Sequence, residues 1–132
     1  MEKKEKKPKH TSKTVVQKCD PVLLNILHAG VRVYCFIRGT RIKMINKIGS
    51  QPEGPAIVLC NHGSFIDFIY SGSMLLKSRP HFVVARLYFY HKWLAFLLKK
   101  LGAFPKSMFA IDIESTMNCM KVIKRGEVLT MM

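Results

Sequence analysis

The sequence predicts an α/β domain in which helices flank a mostly parallel sheet, with an apolar helix in front of it. Apolar runs of strand length alternate along the chain with longer helical segments, as in parallel sheets whose strands are joined by right-handed crossovers. One of these runs, residues 56–60, has no alternating polar residues, which is typical of a strand covered on both faces. The length of 132 residues is enough for one hydrophobic core.

Residues 1–19 are predicted to be a basic, disordered leader. The first 18 residues contain seven lysines and two glutamates, and almost no apolar side chain before Val15. The leader carries part of the net charge of +14, and the rest lies in the body of the chain. Such a chain favours anionic partners: a membrane of acidic lipids, a phosphorylated or acidic substrate, or a nucleic acid.

Residues 20–40 are predicted to be an apolar N-terminal helix. Asp20 is a favoured N-cap residue, Pro21 suits the first helical position, and Gly39 ends the helix. The polar residues form only a narrow stripe, so the helix must be covered by protein or lie in a membrane interface, and the sequence leaves both open. We expect neither a signal peptide nor a transmembrane helix, since no uncharged apolar stretch of about 18 residues is present.

Residues 41–132 are predicted to form a partial α/β domain. Glycine and proline separate its elements, with Pro80, Gly102 and Gly126 each following a predicted helix. The predicted strands span residues 41–46, 56–60, 81–85 and 128 onward, the predicted helices span about 65–77, 87–101 and 115–125, and residues 103–109 are irregular or a strand.

The helix predicted at residues 87–101 is rich in aromatic side chains. We expect Tyr88, Phe89, Tyr90, Trp93 and Phe96 to pack in the core, which is the usual role of such residues. An anchor in a membrane interface and the wall of an apolar tunnel are the alternatives.

The run from Asn61 to Asp67 follows the strand at residues 56–60 and carries the candidate chemistry. In open α/β sheets, ligands bind beyond the carboxyl ends of the strands, which is where His62 is expected. An imidazole can accept a hydroxyl proton near neutral pH. Asp67, in the first turn of the next helix, could bond one ring nitrogen and leave the other facing a substrate. The pair suggests an enzyme that transfers a group onto a hydroxyl.

The same spacing has a purely structural interpretation. Ser64 and Asp67 also match a helix-capping pattern, in which case Asp67 caps the helix and His62 is a polar group in a loop. Spacing alone leaves both interpretations open. Cys60 lies beside the motif but ends a buried run, where thiols are usually inert, so we do not expect it to be a nucleophile.

Residues 55–67 resemble the first motif of the glycerolipid acyltransferases of the 1-acylglycerol-3-phosphate acyltransferase family, N-H-x-S-x-x-D at the end of a strand. The similarity continues along the chain. Gly54 and Pro55 resemble the loop before that motif, residues 101–105 resemble the second motif, and residues 121–132 resemble the helix and strand before the third. The resemblance covers the chain from about residue 21.

The resemblance implies roles for particular residues. His62 would be the general base on the acceptor hydroxyl, Asp67 would orient it, and Asn61 and Ser64 would shape the site. Lys106 stands close to where the second motif usually carries an arginine. Lysine can hold a phosphate as a point charge, although a solvated surface lysine is an equally good interpretation.

The resemblance also implies the reaction and its setting. The acyl donor would be acyl-CoA or acyl-carrier protein, as co-substrate, and no metal or other cofactor is implied. The acceptor would be a lysophosphatidate-type lipid in phospholipid biosynthesis. We expect a peripheral or monotopic protein on the cytoplasmic face of the membrane, bound to an anionic membrane surface.

One departure from the family pattern limits these expectations. The third motif, Pro-Glu-Gly with a following arginine, does not occur before Met132, so we expect an N-terminal fragment that is weakly active or inactive. A non-catalytic acyltransferase-like fragment and a basic nucleic-acid-binding module are the alternatives. No helix-turn-helix, zinc-finger or RNP motif is visible, so no nucleic acid is expected.

Overall fold

Strands and helices alternate in the computed structural model, which describes residues 15–41, 43, 52–61, 63 and 67–132. A 3₁₀ turn at Arg86–Phe89 precedes the third helix. The elements of these described residues are α1 (Pro21–Ile37), β1 (Ala56–Leu59), α2 (Asp67–Met74), β2 (His81–Ala85), α3 (Lys92–Lys100), β3 (Phe104–Lys106), α4 (Ile113–Lys124) and β4 (Val128–Met131). The predicted strand at residues 41–46 falls largely outside the described residues.

The strands form one parallel sheet in the order β1-β4-β2-β3. Leu59 lies opposite Met131, and Val83 lies opposite Phe104. A further backbone bond from the Cys60 N–H to the Met131 carbonyl, at 3.0 Å, extends the pairing of β1 with β4. The predicted α/β class with a parallel sheet is confirmed. Because every strand runs the same way, all four carboxyl ends lie at one edge.

The sheet separates two apolar clusters, because successive side chains of a strand point to opposite faces. On one face Val83 packs with Val122 of α4 and with Phe104 and Leu129. On the other face, Phe82 packs with residues of α2 and α3. Helix α1 lies outside that second layer, where Leu24 packs with leucines of α3 and the turn after it.

Helix α1 begins as predicted. The Asp20 carboxylate accepts a hydrogen bond from the Val22 N–H at 2.9 Å, and the Asp20 N–H donates to the Lys100 carbonyl at 2.8 Å. One side of α1 packs on α2, while its outer side leaves Val22, Ile26, Val33, Phe36 and Ile37 exposed. The helix is therefore only half covered by the described protein. Within the described ranges, every helix is too short or too polar to cross a membrane.

Two sequence expectations about burial are wrong. Strand β1 is not covered on both faces, since Leu59 is 78% exposed. Leu59 lies on the same face of the sheet as Met131, and α4, the helix on that face, packs mainly on β3 and β4. The predicted helix at residues 87–101 is interrupted by the extended backbone of His91. Of its aromatic residues, Tyr88 and Phe89 pack on the core, but Trp93 is 72% exposed and Phe96 is 65% exposed.

A buried histidine joins three segments at the opposite edge of the sheet. His81 Nδ1 lies 3.0 Å from the carbonyl of Gly102, which can only accept, so Nδ1 donates. Its Nε2 lies 3.1 Å from a carboxylate oxygen of Glu127. Gly102 has a φ of +77°, and a Cβ there would come within 3.1 Å of His81 Nδ1. Glycine is thus required at this turn both by its backbone conformation and by the imidazole beside it.

Candidate active site

The carboxyl edge of the sheet collects several of the predicted site residues. Asn61 lies just beyond β1 and is exposed, and Lys106 is the last residue of β3. Two strands, β4 and β2, separate β1 from β3, so the backbones at these two points are about 14 Å apart across the sheet. The structure therefore places Asn61 and Lys106 at the same edge without bringing them into contact.

Asp67 is the first residue of α2 and lies, half-buried, at the β1 end of this edge. Its Oδ2 accepts a hydrogen bond of 2.7 Å from the backbone N–H of Gly63. The positive end of the helix dipole also favours a carboxylate at this position. The bond holds the acid against the loop that follows β1. His62 and Ser64, the sequence neighbours of Gly63, lie outside the described residues, so the predicted contact between His62 and Asp67 stays a prediction.

The charge of Asp67 also acts on Cys60. Burial raises the pKa of the Cys60 thiol, and the nearby Asp67 carboxylate raises it further. Both effects favour the neutral thiol, which is a poor nucleophile. This environment agrees with the expectation that Cys60 packs rather than reacts. All four cysteines are free thiols in the described structure.

An apolar cavity of about 300 Å³ opens beside this edge. Phe68, which directly follows Asp67, lines one side of it, and Lys106 at the end of β3 lines another. Tyr88 of the 3₁₀ turn and Met132 after β4 also face it. This volume is at the lower end of the range for small-molecule sites. The cavity extends from Phe68, the sequence neighbour of Asp67, to Lys106, and its lining is apolar except at a few points.

Arg86, which follows β2 at the same edge, is a charged residue that sequence reasoning missed. Its Nη2 lies 3.3 Å from Asp112 Oδ2 and 3.7 Å from Glu114 Oε2. These two carboxylates compensate most of its charge, so Lys106 is the better candidate for binding a phosphate here. No sequence signal would have paired Arg86 with Asp112, because 26 residues separate them.

Asp112 organises the segment after β3. One of its oxygens accepts from the Ser107 N–H at 2.7 Å, and the other accepts from the Ser115 N–H at 3.0 Å, which caps α4. Burial alone would raise the pKa of Asp112, but these N–H donors and the Arg86 guanidinium outweigh it, so the pKa lies below its usual range. In the folded protein the carboxylate is therefore held in its charged form.

Replacing Asp112 with alanine is expected to lower the free energy of unfolding by about 1–2 kcal/mol, because α4 loses its N-cap. Asp112→Asn keeps one acceptor oxygen, which can still cap α4 through the Ser115 N–H, and loses the charge and the acceptor for the Ser107 N–H, so it should cost less. A lowered pKa means that the charged form stabilises the fold at neutral pH. That contribution is lost as the pH falls through the usual aspartate range and towards the lower folded value.

Urea denaturation at several pH values measures both effects. The difference between the wild type and Asp112→Asn should shrink in acid, whereas the capping cost of Asp112→Ala should persist in part. A wild-type stability for Asp112→Ala at neutral pH would contradict the capping role.

Among the described residues, no group of three or more histidine, cysteine, aspartate or glutamate side chains could hold a metal ion. The chemistry available at the edge is that of a carboxylate, a lysine, an amide and an apolar cavity. With an imidazole beside Asp67, this set could remove a proton from a hydroxyl next to a bound apolar chain.

Comparisons with known proteins place the chain among related sequences. A protein-family model described as Acyltransferase matches residues 41–132, which is more than half of the chain. The 1-acyl-sn-glycerol-3-phosphate acyltransferase of Bacillus subtilis (strain 168) is 27% identical over 99 residues, or 75% of this chain and 49% of the relative. The chain thus spans about half the length of that curated relative. No solved structure matches it significantly.

Proposed function

Since this chain belongs to the acyltransferase family, we propose that its parent protein moves a fatty acyl group from acyl-CoA or acyl-carrier protein to the hydroxyl of a lysophosphatidate-type acceptor. By parent protein we mean residues 1–132 together with a further segment comparable to the other half of the Bacillus subtilis relative. The name of that relative supports the acceptor class and a place in phospholipid biosynthesis.

His62 is the proposed general base and Asp67 its positioning residue. The observation that carries this proposal is the bond from the Gly63 N–H to Asp67, which fixes a carboxylate at the backbone of the residue that follows His62 in the sequence. His62 takes the proton of the acceptor hydroxyl, and the oxygen attacks the thioester carbonyl. The carbon–sulfur bond then breaks, and the leaving thiolate takes up the proton from His62. The products are an ester and a free thiol.

The remaining predicted residues have supporting roles in this proposal. Asn61 and Ser64 shape the loop around the base. Lys106 holds the acceptor phosphate as a point charge. The apolar cavity between Phe68 and Lys106 is suited to a hydrocarbon chain, because its lining offers few hydrogen-bond partners that such a chain would leave unpaired.

The proposed location of the reaction is an anionic membrane surface on the cytoplasmic side. Residues 1–19 would act as an electrostatic tether, with about 1 kcal/mol of attraction per lysine near acidic lipid. The helix within residues 20–40 supports this, because its outer side exposes several large apolar residues. Residues 41–132 would be the first part of the catalytic α/β domain, completed by the rest of the parent protein.

An acceptor-dependent assay tests the reaction class. The parent protein should release free thiol from acyl-CoA only when a lysophosphatidate-type acceptor is present, with formation of the diacyl product in equal amount. Thiol release that is the same without acceptor would identify a thioesterase and contradict the proposal. Acyl-carrier protein replaces acyl-CoA in a parallel assay to identify the donor.

Residues 1–132 alone are expected to give little or no transfer in the same assay. The reason is that the chain matches only about half of its curated relative. Transfer at the rate of the parent protein would contradict this expectation. Absence of transfer in the folded parent protein as well would instead favour a non-catalytic acyltransferase-like protein.

A further inference from the structure

We propose that the outer surface of α3 and the preceding 3₁₀ turn binds the interface of an anionic lipid bilayer. We call this surface the α3 ridge, formed by Leu87, Tyr90, Trp93 and Phe96 with Lys92 and Lys99. The inference deepens the proposed work at a membrane and rests on it. It assigns a contact surface in addition to the leader and α1.

Exposure of large apolar side chains identifies the α3 ridge. Its four apolar members are all exposed, although such residues usually bury most of their surface. Trp93 and Phe96 are three residues apart in α3, so they lie along one side of that helix, and Leu87 and Tyr90 lie at the 3₁₀ turn before it. The opposite side of α3 is covered, since Leu98 is fully buried against the sheet layer. The ridge is therefore the surface that the described fold leaves uncovered on this helix.

The charge of the α3 ridge indicates what covers it. Residues 86–100 contain no acidic residue and four basic ones. Lys100 Nζ lies 5.8 Å from the centre of the Phe96 ring and 4.0 Å from Asp20 Oδ2, so Lys92 and Lys99 supply most of the exposed positive charge. Lysine stems can lie along apolar surface while their ammonium groups reach lipid phosphates. Tryptophan, tyrosine and lysine together are typical of helices that lie in a membrane interface.

A protein partner fits this surface less well. Charged residues, and lysine above all, are depleted from the centre of protein–protein interfaces. A second copy of the chain would also bring the same lysines towards one another. An anionic bilayer, by contrast, gains from both the aromatic side chains and the positive charge.

The α3 ridge lies beside the apolar cavity, so its contact with the bilayer would help a lipid acceptor to reach the site. Tyr88 lines the apolar cavity, while Leu87 and Tyr90, on either side of it in the sequence, are exposed on the ridge. Binding of the ridge would therefore bring the cavity and the carboxyl edge of the sheet close to the lipid headgroups. A lipid acceptor could then enter without leaving the interface for water. The far end of the ridge meets the start of α1 through Lys100 and Asp20.

Trp93 reports the contact directly, because it is the only tryptophan in the chain. Its fluorescence is measured as the chain is titrated with vesicles of phosphatidylcholine and phosphatidylglycerol. We expect emission at shorter wavelength, and quenching when the vesicles carry brominated acyl chains. Pure phosphatidylcholine vesicles should bind more weakly, and added salt should weaken binding to the acidic vesicles.

Matched variants separate the α3 ridge from overall charge. Lys92→Gln with Lys99→Gln should weaken vesicle binding by about 25-fold, or about fivefold per lysine. Lys121→Gln with Lys124→Gln removes the same charge from α4, in the layer on the opposite face of the sheet, and should weaken binding less than twofold. Phe96→Ser should weaken binding and reduce the shift of Trp93 emission, whereas Ile113→Ser on α4 should do neither.

Three outcomes would overturn the inference: no binding to acidic vesicles, binding without any change or quenching of Trp93 emission, or equal effects of the two lysine pairs. An emission shift that depends on protein concentration without lipid would identify contact between copies of the chain instead.

Acyl transfer in the parent protein separates this inference from the proposed function. The α3 ridge variants should lose transfer to vesicle-borne acceptor and keep it with detergent-dispersed acceptor. If the parent protein transfers no acyl group to either form of the acceptor while Trp93 still inserts into vesicles, the proposed reaction is wrong and the proposed membrane contact of the α3 ridge stands.

Discussion

His62→Ala in the parent protein is expected to lower kcat/KM for acyl transfer by roughly a hundredfold to ten-thousandfold. This is the usual contribution of a well-placed general base. Alanine cannot accept the hydroxyl proton, and the neutral hydroxyl is a weak nucleophile towards a thioester. Free-thiol release from acyl-CoA in the presence of acceptor measures the change.

Asp67→Asn tests the second half of the same pair. The amide keeps an oxygen that can accept from the Gly63 N–H, so this hydrogen bond can still form. The negative charge that would stabilise the protonated imidazole is lost. We expect a large loss in kcat with little change in the stability of the fold. If the fold is preserved and the rate is unchanged, Asp67 only caps α2.

His91→Ala is the matched control for His62. His91 is exposed and makes no capping side-chain bond to α3. With detergent-dispersed acceptor, its variant should retain the wild-type rate. Equal rates for His62→Ala and His91→Ala would remove His62 from the mechanism.

Phe104→Ala is expected to give the largest loss of stability, about 3–5 kcal/mol. Phe104 is 0% exposed and packs with Val16, Val122 and Leu129 between the sheet and α4. Alanine would leave a cavity that these neighbours cannot fill without moving. Since domains of this kind are stable by only about 5–15 kcal/mol, the loss is a large share of the total.

Phe109→Ala is the control for this substitution, because Phe109 is 97% exposed. Its effect should stay within about 0.5 kcal/mol. Urea denaturation of both variants gives the comparison. Similar free energies of unfolding for the two would show that Phe104 is not at the centre of the core.

The existence and order of most elements could be read from the sequence, because their signals are local. Asp20 and Pro21 begin α1 where predicted, and β2 has the predicted bounds at residues 81–85. Capping residues and apolar runs act over a few residues, so a single sequence carries them. The local pattern predicted burial incorrectly where burial depends on a distant element, as for Leu59 on β1 and for Trp93 and Phe96 on α3.

The candidate site was only partly predictable for the same reason. The motif from Asn61 to Asp67 is contiguous, and Asp67 lies at the predicted edge with its backbone partner Gly63. The neighbourhood of Arg86 and Asp112, and the cavity shared by Phe68 and Lys106, join residues from separate elements. Side-chain periodicity contains no information on which of those elements become neighbours.

The sequence by itself determined the α/β class, the starts of α1 and β2, the basic character of the chain and the motif that carries the proposed chemistry. Only the tertiary structure decided the strand order β1-β4-β2-β3, the cavity at its carboxyl edge and the uncovered α3 ridge. The physical reason is that backbone propensity and capping act between close neighbours in the chain. Burial depends on which distant segments come together around the sheet.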